Sequence, residues 1–170
     1  MAVKKIVQIG DGVLRQKAKP VSLKNKVAIK KLLKDLTDSL HAAPLVGIAA
    51  PQIGLGLQVF LSEIRKTKLR DAKQVDSLRV FINPKIVNYS NKQTILVEGC
   101  GSLCHASIFG PVKRPSEVEV LALDENLKPF HLKANGLLAK IIQHEYDHLQ
   151  GVVILDKFTD TRKCWVRSAK

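Results

Sequence analysis

Apolar residues recur every three or four positions between residues 22 and 41, which is the spacing of one face of an α-helix. The apolar positions are Ile29, Leu32, Leu33, Leu36 and Leu40. Lysines occupy most of the opposite side of the same stretch. The pattern predicts an N-terminal amphipathic helix with Ser22 as its N-cap residue and a solvated lysine face.

Short apolar runs bounded by glycine, proline and polar residues predict β-strands along most of the remaining chain. The runs cover residues 59–61, 80–82, 86–87, 95–97 and 152–155, with a strand-like arm over residues 3–12. Residues 117–123 and 128–132 alternate on either side of a turn at Asp124, which predicts a β-hairpin. Residues 63–77 and 110–115 lack periodicity and are expected to form loops.

A second helix is predicted after Asn135, a candidate N-cap, and it contains the sequence Gln-His-Glu-Tyr-Asp-His at residues 143–148. In a helix, His144 and His148 lie on one face, where both imidazoles can bind one metal ion. Glu145 lies about 100° round the helix from His144, where a general base for a metal-bound water is expected. The alternative is an accidental pair of surface histidines, but a chance H-E-x-x-H should occur in about one chain of this length in a hundred or fewer. The expected fold class is therefore α+β, with short antiparallel strands and hairpins around a central metal-binding helix.

A catalytic metal site usually has three protein ligands and one open position for water, so one further ligand is needed. Cys100 follows the predicted strand at residues 95–97 and is a candidate thiolate ligand, although a buried free cysteine is the commoner role for this residue type. Competing candidates are Cys104, His105, Asp156 and Asp160. Leu137 and Ile141 share the helical stripe of the histidines and are expected to form an apolar wall beside the metal.

Residues 45–56 are rich in glycine, alanine and proline, with Gln52 as a single amide side chain among the small residues. Small residues allow a backbone to approach a ligand or another backbone closely. A tight loop between two elements has a similar composition, so this stretch carries little information by itself.

The composition limits the class of protein. The length of 170 residues predicts a single domain, 1–170, with a sizeable apolar core. The formal net charge of +13 would attract nucleic acid or an anionic membrane surface, but the basic residues are scattered and no nucleic-acid recognition motif accompanies them. A solvated basic surface is therefore favoured. Three irregularly spaced cysteines, no export signal and no long apolar run predict a cytoplasmic protein without a membrane segment.

Three motifs carry a family resemblance. They are G-I-A-A-P-Q-I-G at residues 47–54, E-G-C-G-S at 98–102 and Q-H-E-Y-D-H-L at 143–149. In this order they resemble the three motifs of peptide deformylases, and the similarity extends over roughly residues 3–158. The resemblance implies an enzyme that removes the formyl group from N-formylmethionyl nascent peptides and releases formate. It also implies ferrous iron as the usual metal, with zinc, nickel or cobalt able to occupy the site.

The resemblance assigns a role to individual residues. The implied metal ligands are Cys100, His144 and His148. Glu145 is implied as the general acid and base, and the Gln52 side chain and the Gly101 N–H as donors to the oxyanion. The residues expected to contact the substrate are Gly47, Ile48, Leu96, Gly99, Leu137 and Ile141.

The sequence departs from the family pattern at three places. Leu45 replaces the first glycine of the first motif, Gly101 replaces the usual leucine, and the segment after Ser102 is about two residues longer, with no arginine assigned to substrate contact. The departures leave two alternatives, a weakly active or non-catalytic relative that binds RNA, and another metal-dependent amidase or peptidase. A further hypothesis is an active enzyme held near the ribosome by its basic surface. The oligomeric state is not predicted.

Overall fold

The computed structural model describes residues 3–67 and 75–167. Within these ranges, two antiparallel sheets and two α-helices confirm the predicted α+β class. One sheet has the strand order β1-β2-β3-β6-β7, with β1 Gly47–Ala49, β2 Val59–Ile64, β3 Asp76–Tyr89, β6 Glu117–Leu123 and β7 Pro129–Asn135. The other has the order β4-β5-β8, with β4 Gln93–Gly99, β5 Ile108–Pro115 and β8 Trp165–Val166. The helices are α1 Lys26–Ala42 and α2 Gly136–Leu149.

The two helices pack on opposite faces of the five-stranded sheet. Successive residues of a strand point to opposite faces, and β2 follows this rule. Val59 and Leu61 belong to the apolar cluster formed with α1, whereas Phe60 belongs to the cluster formed with α2. Because both faces of the central strands are covered, these strands are apolar at consecutive positions rather than at alternate ones.

Helix α1 is the amphipathic helix that the apolar spacing predicts, but it begins later than expected. Its N-cap is Asn25, whose side-chain oxygen accepts a hydrogen bond from the Ala28 N–H at 2.9 Å. The prediction of Ser22 as the N-cap was therefore wrong. Asn135 is the N-cap residue of α2, as predicted, although its side chain makes no capping hydrogen bond.

Strand β3 joins two segments that the sequence suggested were separate strands. The chain passes through Asn83 at a positive φ of 49°, and the register with β6 shifts between Ile82 and Lys85. The Asn83 side chain accepts a hydrogen bond from the Val21 N–H at 2.7 Å and donates one to the Val21 carbonyl at 3.0 Å. This contact with a distant segment stabilises an irregular strand at a position where Asn-Pro by itself indicates a break.

Two further predictions were wrong. Residues 110–115, expected to form a loop, lie in β5, which pairs with β4 from Gly99↔Phe109 to Gln93↔Pro115. Residues 152–155, expected to form a strand, lead instead into a short 3₁₀ helix at Ile154–Lys157, where the Asp156 carboxylate accepts a hydrogen bond from the Val153 N–H.

The predicted hairpin on either side of Asp124 is confirmed, and its strands are β6 and β7. The N-terminal arm is extended but lies in neither sheet, and it bonds to two distant backbone carbonyls, Val7 N–H to Gln52 and Ile9 N–H to Ser102. Both ends of the loop expected at residues 63–77 lie in strands, since β2 includes residues 63–64 and β3 begins at Asp76. Its centre, residues 68–74, lies outside the described residues. Neither α1 nor α2 is long and apolar enough to cross a membrane.

Candidate metal centre

The end of β4 and one face of α2 bring together the sulfur and two imidazoles that the sequence predicted. Cys100 follows β4 directly, and its Sγ lies 3.3 Å from His148 Nε2. The Cys100 sulfur and one nitrogen each of His144 and His148 all lie within 4.8 Å of one another. One thiolate and two imidazoles form a donor set that suits zinc or iron. These three residues therefore fit a bound metal ion.

The state of the Cys100 thiol agrees with a role as ligand. Burial by itself raises the pKa of this thiol, but the charges and hydrogen bonds of His148 and His144 outweigh burial and lower the pKa well below its usual value. A thiolate is the form in which cysteine binds a metal. The competing candidates lie elsewhere, because Cys104 and His105 are exposed and Asp156 and Asp160 pair with arginines.

A buried ion-pair network holds His144. Its Nδ1 lies 3.0 Å from Glu98 Oε2, which leaves the other ring nitrogen for the metal. Arg114 donates two hydrogen bonds to Glu98, from Nε at 2.7 Å and from Nη2 at 3.1 Å, and a third from Nη1 to Asp147 at 2.9 Å. Burial by itself raises the pKa of Glu98, but the hydrogen bonds and charges of His144 and Arg114 outweigh burial and lower this pKa to about 2. Glu98 is therefore a charged carboxylate that orients the His144 ring.

Sequence reasoning missed the roles of Glu98 and Arg114. Glu98 precedes Cys100 within the second motif, so its position gave a signal that was left without a role. Arg114 gave no signal, because its segment was taken for a loop. In the structure Arg114 lies on β5 opposite Thr94 and is 3% exposed.

Glu145, which the sequence predicts to be the general base, lies on α2 next to His144. It is buried, and burial raises the pKa of its carboxyl group to about 7. Among the described residues, Glu145 Oε2 and His148 Nδ1 are buried without a hydrogen-bond partner. A buried acceptor usually has a partner, so the unpaired Glu145 oxygen fits a site where a water molecule is held beside the metal. Gly47 on β1 makes room for this carboxylate, since a Cβ there would collide with Glu145 Oε1 and lie 2.8 Å from Ile141 Cγ2.

Gln52 presents its amide nitrogen to the same centre. It lies in a short 3₁₀ helix, Ala50–Ile53, and is 1% exposed. Its Oε1 accepts a hydrogen bond from the Ala49 N–H at 2.8 Å. The Nε2 group then faces the Cys100 sulfur at 3.7 Å and Ser102 Oγ at 3.4 Å. Because Ala49 fixes the carbonyl end, the donor end of Gln52 is turned toward Cys100 and Ser102.

A cavity of about 100 Å³ opens beside these groups. Six of the residues predicted from the sequence to be donors or substrate contacts line it, namely Gly47, Gln52, Gly99, Gly101, Leu137 and Ile141. Ile48 is fully buried in the cluster with α1, and Val97 rather than Leu96 is among the lining residues. Successive β4 side chains point to opposite faces, which explains why only one of these two neighbours reaches the cavity.

The fold and the cluster define a metal-dependent hydrolase that carries its ligands on a helix and at the end of an adjacent strand. The model of the polypeptide deformylase family matches residues 3–164, and the chain belongs to that family. The resemblance seen in the three motifs is thereby confirmed.

Individual relatives agree with this assignment. The chain is 38% identical to a peptide deformylase of Pseudothermotoga lettingae, over 97% of this chain and 88% of the relative. It is 39% identical to one of Pelotomaculum thermopropionicum, over 96% of each. Among solved structures, a class I type b peptide deformylase from Acinetobacter baumannii superposes with a TM-score of 0.88 at 28% identity, covering 94% of this chain and 100% of that one. The match shows that the fold extends over nearly the whole chain.

Proposed function

We propose that this protein hydrolyses the formyl amide bond of N-formylmethionyl peptides, releasing formate and a free α-amine. The observation that carries the proposal is the convergence of Cys100, His144 and His148 with Glu145 and Gln52 around one cavity, in a chain of the deformylase family. A bound peptide and a water molecule are the two reactants, and the bond that breaks is the C–N bond of the formyl amide.

The metal would be held by Cys100, His144 and His148, with Glu98 and Arg114 orienting His144. When bound, the metal supplies Lewis-acid chemistry that lowers the pKa of water and polarises the formyl oxygen. We propose ferrous iron as the native ion. The same donor set accommodates zinc, nickel or cobalt, so occupancy depends on which metal is available as well as on affinity. The thiolate ligand also makes the site sensitive to oxidation.

Glu145 moves the proton. Its Oε2 takes a proton from the attacking water, and the same oxygen then returns it to the leaving nitrogen of the methionine. A general base is most effective when its pKa lies near the working pH. The pKa of about 7 that burial gives this carboxyl group meets this condition.

Two donors stabilise the negative charge that develops on the formyl oxygen. They are the Gln52 Nε2 group, whose direction is set by Ala49, and the backbone N–H of Gly101. Fixed donors aimed at a developing charge contribute strongly to catalysis, because they need no reorganisation during the reaction. Leu137, Ile141 and Val97 supply apolar walls suited to the methionine side chain.

The test is formate release from formyl-Met-Ala-Ser by protein prepared without oxygen and loaded with ferrous iron. The matched control is Glu145→Gln, which keeps the shape of the side chain but cannot accept the proton. We expect the native protein to release formate and the variant to be slower by about 100- to 10,000-fold, with the same metal content. Cleavage of unformylated Met-Ala-Ser instead would support the peptidase alternative. Salt-sensitive RNA binding without formate release would support the non-catalytic one.

A further inference from the structure

Leu45 and Gly101 are close neighbours in the wall of the cavity. Leu45 comes from the segment before β1 and Gly101 from the segment after β4, and both line the cavity. A Cβ built on Gly101 would lie 3.2 Å from both Cδ atoms of Leu45 and 3.7 Å from Ile6 Cγ2. The Leu45 side chain therefore fills the space into which a side chain at position 101 would extend.

The backbone conformation does not explain why residue 101 is a glycine. Gly101 is absent from the residues with positive φ, which include Gly10, Gly54, Gly136 and Gly151. An L-residue at position 101 would not need a positive φ, but its Cβ would crowd Leu45, which would have to shift to make room.

The contact has a consequence for the Gly101 N–H. Glycine has more conformational freedom than any other residue, and a donor to an oxyanion acts best when it is held in place. The segment is held by contacts from distant parts of the chain. Both Leu45 Cδ atoms lie 3.2 Å from the position that a Cβ on Gly101 would take, Gln8 Nε2 donates to the Gly101 carbonyl at 3.1 Å, and the Ile9 N–H donates to the Ser102 carbonyl at 2.8 Å.

We propose that Leu45 is a positioning residue for the Gly101 N–H. Its side chain supplies, from the opposite wall of the cavity, the packing that residue 101 cannot supply for itself. The proposal rests on the proposed function, because it concerns the donor to the formyl oxygen. In this proposal Leu45 acts through the Gly101 N–H, and its role differs from that of a residue that only narrows the entrance of the cavity.

The test is a cycle of Leu45→Gly, Gly101→Leu and the double variant that moves the leucine across the cavity. Either single change should lower kcat/KM for formyl-Met-Ala-Ser by about 10- to 100-fold, the first by loosening the donor and the second by overcrowding it. The double variant restores the total side-chain volume, so its kcat/KM should return to within about fivefold of the native value. Leu55→Gly is the control, since Leu55 is also a partly exposed leucine outside the helices and strands, and it does not line the cavity.

The product peptide Met-Ala-Ser separates positioning from direct contact. It has no formyl oxygen, so its inhibition constant should change by less than about threefold in Leu45→Gly if Leu45 acts through the Gly101 N–H. An equal loss of product affinity and of kcat/KM would overturn the proposal in favour of direct substrate contact. Native kcat/KM in Leu45→Gly, or a double variant no better than Gly101→Leu, would also overturn it.

The same variants can also be compared by their thermal unfolding midpoints and metal content, neither of which requires enzymatic activity. If the native protein released no formate, the proposed function would fail, but the unfolding midpoints would still measure the contact. Coupled residues give a double variant whose midpoint loss is smaller than the sum of the single losses. Additive losses, with unchanged metal content in all variants, would mean that Leu45 does not support residue 101.

Discussion

The two α-helices bury stripes of similar size but of different chemistry. The buried residues of α1 are Ile29, Leu32, Leu33, Asp35, Leu36, Ser39 and Leu40. Those of α2 are Ala139, Ile141, Ile142, Gln143, Glu145, His148 and Leu149. Both helices cover the same sheet, so their difference reflects what each helix does there.

The buried polar side chains of α1 have hydrogen-bond partners, whereas two buried side-chain atoms on α2 have none among the described residues. Ser39 Oγ donates to the Asp35 carbonyl at 2.7 Å and accepts from the Lys4 N–H at 2.9 Å, and Asp35 pairs with Lys31. On α2, Glu145 Oε2 and His148 Nδ1 are buried without a partner among the described residues. Burying an unpaired polar group destabilises a fold. Helix α1 thus packs mainly through apolar side chains, whereas α2 also carries polar groups toward the metal centre.

The largest difference between the helices is expected when a histidine of each is replaced by alanine. His148→Ala removes a proposed metal ligand, and we expect metal affinity to fall by more than about 100-fold, because loss of an outer partner alone costs roughly 10- to 100-fold. His41→Ala on α1 is the control, since His41 is exposed and pairs with Glu63. Metal analysis after dialysis measures both. Retention of one metal ion by His148→Ala would contradict the site.

The next largest effect is expected when the buried ion pair of Glu98 and Arg114 is broken. Arg114→Met leaves Glu98 charged and uncompensated in the interior, and we expect the free energy of unfolding to fall by about 3–5 kcal/mol. Lys113→Met changes an exposed neighbour on β5 and should have little effect. Denaturant unfolding of the two variants compares them. Equal stabilities would mean that Arg114 does not compensate the charge of Glu98.

A change in the apolar stripe of α1 should lower stability without altering the chemistry. Leu36 is fully buried, and Leu36→Ala should lower the free energy of unfolding by about 2–5 kcal/mol through lost burial and the resulting cavity. The kcat/KM per folded molecule should stay within about twofold of native, because the helix lies on the other face of the sheet. Val27→Ala, at a position on α1 that is 79% exposed, is the control. A large loss of kcat/KM in folded Leu36→Ala would show that the two faces are coupled.

The smallest effect is expected at the pair of Lys31 and Asp35 on α1, in which the lysine is exposed. Lys31 Nζ lies 2.8 Å from Asp35, and this hydrogen bond lowers the pKa of the Asp35 carboxyl below its usual value. Lys31→Ala should lower the free energy of unfolding by about 0.3–0.5 kcal/mol near pH 7. A lowered folded-state pKa stabilises above the unfolded value, so the difference should vanish as the pH falls through the folded pKa of Asp35.

Unfolding of native and Lys31→Ala protein from pH 7 to pH 2.5 tests this dependence, with Lys30→Ala as the control on the same helix. A difference that persists at the acidic end would mean that the pair with Asp35 is not its cause. The stabilising effect of the Lys31–Asp35 pair could then not be compared with that of the buried pair of Glu98 and Arg114.

The sequence by itself determined the features that depend on local spacing. The period of apolar residues located α1, the alternation on either side of Asp124 located the hairpin, and the i,i+4 spacing placed His144 and His148 on one face of α2. These features depend on helix and strand geometry, which is the same in every protein. Three motifs in order were sufficient to identify the family, although one motif would have been ambiguous.

Only the tertiary structure decided the features that depend on residues distant in sequence. Residues 110–115 are a strand because β4 provides their hydrogen-bond partners, and β3 continues through Asn83 because Val21 bonds to that side chain. The ion pair of Glu98 with Arg114 requires the pairing of β4 with β5, and the contact of Leu45 with Gly101 requires the two walls of the cavity to meet. The physical reason is that a strand and a steric contact each need a partner, and local periodicity contains no information about where that partner lies.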